Sequence, residues 1–219
     1  MRRHVFVTGA TGYLGRHVIA RLVERGHAVR GLVRPGSEGR LPDGCGAVVG
    51  NPLDRATFSH AVPPADTLLQ LVGVPHPSPS KARQFVEVDL RSGLESVAVA
   101  RSAEIAHVVY VSVAQPAPVM RAYQQTRARV ERALAESGLR HTVLRPWYVL
   151  GPGHRWPYAL LPAYWLLQRW PGTRDTAKRL GLVTLEQMVW ALTHAVEHPP
   201  AHARLVEVPE IASMPNRES

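Results

Sequence analysis

Thr8-Gly9-Ala10-Thr11-Gly12-Tyr13-Leu14-Gly15 decides the fold of this chain. The stretch follows directly on the short apolar run Val5-Phe6-Val7 and opens a segment in which Leu14, Val18 and Leu22 recur every fourth residue. Its three glycines therefore sit in a strand, turn and helix. Glycine has no Cβ and lets a ligand approach the backbone, and the free N–H groups of a helix N-terminus favour negative charge. Gly9, Gly12 and Gly15, with Thr11, Tyr13 and Leu14 between them, read as a cradle for the pyrophosphate of a dinucleotide. Gly26 stands where a glycine commonly ends a helix.

Outward from this loop, further runs of strand length at 27–33, 47–49, 67–72, 108–112 and 142–144 alternate with stretches of helical period. Several are continuous in Val and Leu, as strands buried on both faces should be. Val86, Leu90, Leu94 and Val97 mark one amphipathic helix, and Val130 and Leu134, stopped by Gly138, mark another. Thr184-x-x-Gln187 is a capping box opening a last helix with Leu185, Met188, Val189, Leu192 and Val196 on one face, ended by Pro199-Pro200. The pattern predicts an α/β chain: a Rossmann-type doubly wound parallel sheet of six strands, followed by a small C-terminal region that the family resemblance given below implies is a substrate lid. The expected division is a dinucleotide-binding core over 1–146, the substrate or lid region over 147–210 and a frayed tail over 211–219.

With 219 residues, 45% hydrophobic and 20% charged, the composition is that of one soluble globule and excludes a collagenous, coiled-coil or disordered chain. The single cysteine, Cys45, cannot form an internal disulfide and points to a reducing compartment. No secretory signal fits ahead of the first strand, so a cytoplasmic location is expected. The formal charge of +9 comes from scattered arginines, Lys81 and Lys178 being the only lysines. No aromatic-interleaved basic stripe or helix-turn-helix pattern accompanies it, and a nucleic-acid partner is not expected. The apolar run Tyr158–Leu167 contains Pro162 and falls short of the roughly 20 residues that span a bilayer. Around it, Trp147, Trp156, Trp165 and Trp170 leave three readings open: ordinary core, an oligomer interface such as a homodimer's, or the wall of a pocket for a small apolar substrate.

The second strand ends Gly31-Leu32-Val33-Arg34, where dinucleotide folds carry an acid for the ribose 2′-hydroxyl or a cation for a 2′-phosphate. Arg34 can grip a phosphate with its planar fork, which favours NADP(H), with NAD(H) as the alternative.

Taken together, these residues resemble the short-chain dehydrogenase/reductases, in particular their atypical and extended members, the NAD-dependent epimerase/dehydratase-like NAD(P)H-binding proteins. The resemblance covers about residues 4–200. Besides the glycine loop it rests on Val49-Gly50-Asn51-Pro52-Leu53-Asp54 after the third strand, Tyr110-Val111-Ser112 at the fifth and Leu144-Arg145-Pro146 at the sixth. It implies cofactor contacts at Asn51, Pro52, Val72, Gly73 and Pro146. Asn51 takes the place of the family's adenine-contacting Asp, and Leu71-Val72-Gly73 that of its Asn-Ala-Gly-like segment. The family's catalytic Tyr-x-x-x-Lys is matched by Tyr123-Gln124-Gln125-Thr126-Arg127, with Ser112 as the upstream hydroxyl.

Tyr123, Arg127, Val130 and Leu134 share one helical stripe. The implied chemistry asks for a phenol of lowered pKa that exchanges a proton with a carbonyl or alcohol, a cation beside it, and a hydroxyl that orients the substrate oxygen. Arg127 supplies the cation but does not readily give up a proton as lysine does. Two readings stay open. One is an NADP(H)-dependent oxidoreductase or epimerase-like enzyme acting on a hydrophobic carbonyl or alcohol. The other is a non-catalytic NAD(P)H-binding sensor or assembly factor, which would tolerate the loss of the lysine.

His194-Ala195-Val196-Glu197-His198 matches a zinc-protease pattern. At about 100° per residue its histidines fall opposite the apolar face of their helix, and no metal site is expected.

Overall fold

The computed structural model describes residues 1–151 and 179–214. Strands β1 (His4–Thr8), β2 (Ala28–Val33), β3 (Cys45–Val49), β4 (Thr67–Gln70), β5 (His107–Val111), β6 (His141–Arg145) and β9 (Ala203–Glu207) form one sheet in the order β3-β2-β1-β4-β5-β6-β9. Every pairing in it is parallel. Two short strands, β7 (Tyr148–Leu150) and β8 (Leu182–Thr184), pair with each other outside it. This is the Rossmann-type sheet that the alternation of strand runs and helices predicts.

Side chains of each strand alternate between two apolar layers. Val5 and Val7 of β1 pack with Val18, Ile19 and Leu22 of helix α1 (Tyr13–Glu24), while Phe6 faces the opposite layer. The connection from β4 to β5 runs through a short helix α2 (Ala82–Gln84), a π-helical segment Phe85–Leu90, and helix α3 (Arg91–Ser102). Helix α4 (Arg121–Glu136) follows β5, and its Val130 and Leu134 share the second layer with Leu90 and Val97. Helix α5 (Leu185–Glu197) carries the expected capping box: Gln187 N–H donates to Thr184 Oγ1 at 3.1 Å and Thr184 N–H to Gln187 Oε1 at 2.8 Å. No helix among the described residues is long and apolar enough to cross a membrane.

Three departures from the sequence reading have physical causes. The stripe Val86, Leu90, Leu94, Val97 is split, with Val86 49% and Leu94 40% exposed. The π-helical turns add a residue per turn and rotate the inward face, so that Phe85 and Asp89 are buried there as well as Leu90. The sheet has a seventh strand, β9, at its edge. Half exposed and interrupted by Arg204 and Glu207, it lacks the apolar run of a central strand. Finally, helix α6 (Val208–Ser213) buries Val208 and Ile211 completely or nearly so, where a frayed tail was expected from 211. Met188, Leu192 and Val196 of α5 belong to the same apolar layer as β1. The boundary at 146 thus divides no core, because the chain beyond it completes the sheet and one of its layers. Most of the tryptophan-rich segment lies outside the described residues.

Candidate functional site

Each glycine of the loop is there for a different reason. Gly9 has φ +73°, a left-handed conformation that side chains rarely adopt, and a Cβ on it would lie 2.8 Å from the Leu71 carbonyl carbon and 2.9 Å from Val72 N. A Cβ on Gly15 would run into the carbonyl oxygen of Gly9 and come within 2.7 Å of that of Ala10. These two pack the loop against β4 and against its own helix. Gly12 differs: its φ of −73° suits any residue, it is exposed, and an added Cβ would meet only Gly9 O, at 3.1 Å.

Gly12 is the N-cap of α1, without a side-chain cap and without an acidic residue in the first turn. The helix N-terminus is exposed and carries no side chain of its own, a setting that suits an anion. A pyrophosphate fits this cradle. Thr11, Tyr13 and Leu14 are half-buried around it.

At the β2–β3 end Arg34 is exposed just beyond β2. Beyond β3, Asn51 N–H donates to Thr57 Oγ1 at 2.9 Å, and Asn51 Oδ1 accepts from Leu53 N–H at 3.0 Å, which shapes the loop around Pro52. Across the β1–β4 junction, where the strand order reverses, Val72 and Gly73 are half-buried after β4. Pro146 is buried after β6, and its carbonyl accepts from Ala114 N–H at 2.9 Å.

The structure brings Tyr123 and Arg127 together. The Arg127 guanidinium carbon lies 5.0 Å from the centre of the Tyr123 ring, and that ring packs 4.8 Å from Phe85. Arg127 itself is only 5% exposed. Its Nη2 is 2.6 Å from Asp89 Oδ1, and its Nη1 donates to the Val111 carbonyl at 2.9 Å and the Tyr110 hydroxyl at 3.3 Å. Burial works against the charge of Arg127, but Tyr110, Tyr123 and Asp89 more than offset it and hold its pKa above the ordinary value.

The Tyr123 phenol is also displaced upward. Burial dominates and Arg127 opposes it, so the lowered phenol pKa that the family chemistry asks for is absent from this arrangement. Burial likewise pushes the Tyr110 phenol up to about 12.

Ser112 belongs to a different network. Its hydroxyl donates to Glu131 Oε1, four residues beyond Arg127 on α4, and the same carboxylate takes Gln115 Nε2 at 2.9 Å and Arg145 Nη2 at 2.5 Å. With its one proton given to Glu131, the Ser112 oxygen is left with acceptor capacity.

Asp89 and Glu131 carry no motif, and Tyr110 stands in the family-like Tyr110-Val111-Ser112, which assigns it no role at the site. The signal for Asp89 was its i, i+4 relation to Phe85, followed by the small residues Ser92, Gly93 and Ser96, all of them inward-facing. His194 and His198 stack ring on ring with centroids 4.1 Å apart, and His198 Nδ1 lies 3.0 Å from the His194 carbonyl.

A family model described as NAD(P)H-binding matches residues 9–156. Among curated proteins, the chain is 30% identical over 158 residues to the chloroplastic divinyl chlorophyllide a 8-vinyl-reductase of Oryza sativa subsp. indica, covering 65% of this chain and 39% of that protein. It is 27% identical over 168 residues to the 4-hydroxy-2-methyl-3-oxo-4-farnesyl-3,4-dihydroquinoline-1-oxide ketoreductase of Stigmatella aurantiaca, covering 67% of this chain and 50% of that protein. The chain thus spans half or less of the length of these relatives.

In fold it is similar to the Bordetella bronchiseptica enzyme WbmH solved with NAD+, with TM-score 0.70 and 20% identity over 93% of this chain and 75% of that one. A short-chain dehydrogenase/reductase superfamily protein from Agrobacterium tumefaciens with bound NAD gives TM-score 0.67 and 18% identity over 93% of this chain and 77% of that one.

Proposed function

The chain belongs to the NAD(P)H-binding family, and from that premise we propose that it is an NADP(H)-dependent oxidoreductase acting on a hydrophobic carbonyl or alcohol. The observation that carries the reading is Gly12: an exposed, uncapped helix N-terminus in an ordinary backbone conformation, kept free of a side chain that the fold itself would nearly accommodate. In this reading the loop 9–15 holds the pyrophosphate and Arg34 the 2′-phosphate. Asn51 and Pro52 line the adenine side, and Val72, Gly73 and Pro146 the nicotinamide side. The bound cofactor supplies or accepts the hydride.

Tyr123 exchanges the proton with the substrate oxygen, and a neutral phenol, as burial favours here, is the form that donates to a forming alkoxide. Both curated relatives carry reductase names, one acting on a vinyl group and one named a ketoreductase, which supports the reductive direction. A cytoplasmic setting suits the single, half-buried Cys45 thiol.

A second reading, a cofactor binder without turnover, is favoured by two observations: Arg127 is committed to Asp89, and the Ser112 proton to Glu131. Incubation with NADPH and a panel of apolar ketones and enones separates the two. Substrate-dependent NADPH oxidation that Tyr123→Phe abolishes, with NADPH affinity unchanged, supports the enzyme. NADPH binding without turnover on the panel supports the binder, and no NADPH binding at all overturns both.

A further inference from the structure

A polar seam runs through the interior from β1 to helix α4. Thr8 Oγ1 donates to Gln70 Oε1, Gln70 Nε2 to Ser92 Oγ at 3.1 Å, and Ser92 Oγ to the Asp89 carbonyl at 3.3 Å. The Asp89 carboxylate accepts from Val74 N–H at 3.1 Å through one oxygen and from Arg127 at 2.6 Å through the other. From Arg127 the seam continues to the Val111 carbonyl, the Tyr110 hydroxyl and the face of Tyr123. One carboxylate and one guanidinium therefore tie together the segment after β4, the end of β5, the π-helical segment Phe85–Leu90 and helix α4.

The segment after β4 is also the wall of the glycine loop. A Cβ on Gly9 would run into the backbone of Leu71 and Val72, and one on Gly73 would run into the Arg127 guanidinium. Lysine would not reproduce this arrangement, because the two terminal nitrogens of Arg127 reach Asp89 on one side and Val111 and Tyr110 on the other, whereas an ammonium places its three donors on a single atom. The arginine at position 127 is matched to Asp89, which makes it a brace rather than a lost lysine.

We propose that Asp89, acting through Arg127, is the positioning residue for the nicotinamide half of the site, fixing the Val72–Val74 wall and the Tyr123 ring against the glycine loop. The inference rests on the cofactor reading above for what the wall touches. The pairing raises a second expectation that needs no ligand. Asp89 offsets the positive charge that Arg127 presents to Tyr123, so removing the carboxylate's charge lowers the phenol pKa.

The test compares wild type with Asp89→Asn against two probes: NADPH, and 2′,5′-ADP, which carries the adenosine and 2′-phosphate but no nicotinamide. The expected result is NADPH weakened about tenfold with 2′,5′-ADP changed less than about twofold. Ultraviolet titration of the phenol, assigned by subtraction of Tyr123→Phe, moves to lower pH in Asp89→Asn. A carboxylate that merely supports the fold would weaken both probes together and leave the phenol where it is, and either result overturns the proposal.

If Asp89→Asn does not fold because the guanidinium is left unpaired, Asp89→Asn with Arg127→Met removes both charges and is read with the same two probes. Their equal weakening overturns the proposal as well. Wild type that binds neither probe overturns the cofactor reading instead, and the phenol titration then decides the Asp89–Arg127 coupling on its own.

Discussion

A β-carbon on Gly73 would fall on the Arg127 guanidinium and lie 3.2 Å from Asp89 Oδ1. Glycine is required here by an ion pair from two other elements of the fold, and not by the backbone conformation of the turn. Gly73→Ala must displace a buried arginine whose two terminal nitrogens are bonded to Asp89, Val111 and Tyr110, at a cost of about 2 kcal/mol, the usual size for forcing extra volume into a packed interior. Urea denaturation should show the midpoint falling at constant slope. Gly39→Ala is the control, since nothing lies within 4 Å of its Cβ position, and it should leave the midpoint in place.

Gly12 and Gly15 should respond in different ways. Gly12→Val puts a branched side chain where the pyrophosphate approaches, its Cβ meeting one backbone atom, Gly9 O, at 3.1 Å, so NADPH binding by calorimetry is lost while the melting temperature falls less than in Gly15→Ala. Gly15→Ala collides with the backbone of Gly9 and Ala10, and its melting temperature falls whether or not cofactor is present. Tight NADPH binding by Gly12→Val would move the phosphate site elsewhere.

Arg34 sets the cofactor preference. NADPH should raise the melting temperature more than NADH, because only NADPH offers a 2′-phosphate to the exposed guanidinium and charge-assisted bonds to phosphate are strong. Arg34→Ala should make the two shifts equal by weakening NADPH alone. Equal shifts in wild type would count against the NADP(H) preference.

His107 makes stability depend on pH. It is buried in β5 with Nε2 3.0 Å from Thr142 Oγ1, and burial, helped by Arg3 and Arg140, lowers its pKa from 6.5 to about 4. The unfolded chain binds this proton first as pH falls, so the stability from His107 is complete above about pH 6.5 and is lost progressively toward pH 4. The full loss is about 3 kcal/mol. Chemical denaturation between these limits should show a shallower pH dependence for His107→Gln than for wild type, and identical slopes would refute it.

The sequence by itself determined the parts of this protein that depend on neighbours along the chain. The glycine loop is legible because φ +73° at Gly9 and an open N-cap at Gly12 are demands on single residues. The central strands are legible because burial on both faces needs an unbroken apolar run, and the capping box because its two bonds join residues three apart.

Tertiary structure decided what depends on where two elements meet. Asp89 and Arg127 are 38 residues apart and belong to separate helices, and no spacing rule connects them. Only the π-helical rotation of Phe85–Leu90 aims Asp89 inward. In the same way Ser112, placed by motif beside Tyr123, gives its proton to Glu131, because the face of α4 that passes the end of β5 carries that carboxylate. Strand β9 carries no apolar pattern in the sequence because an edge strand buries so little, and its place beside β6 follows from the sheet alone.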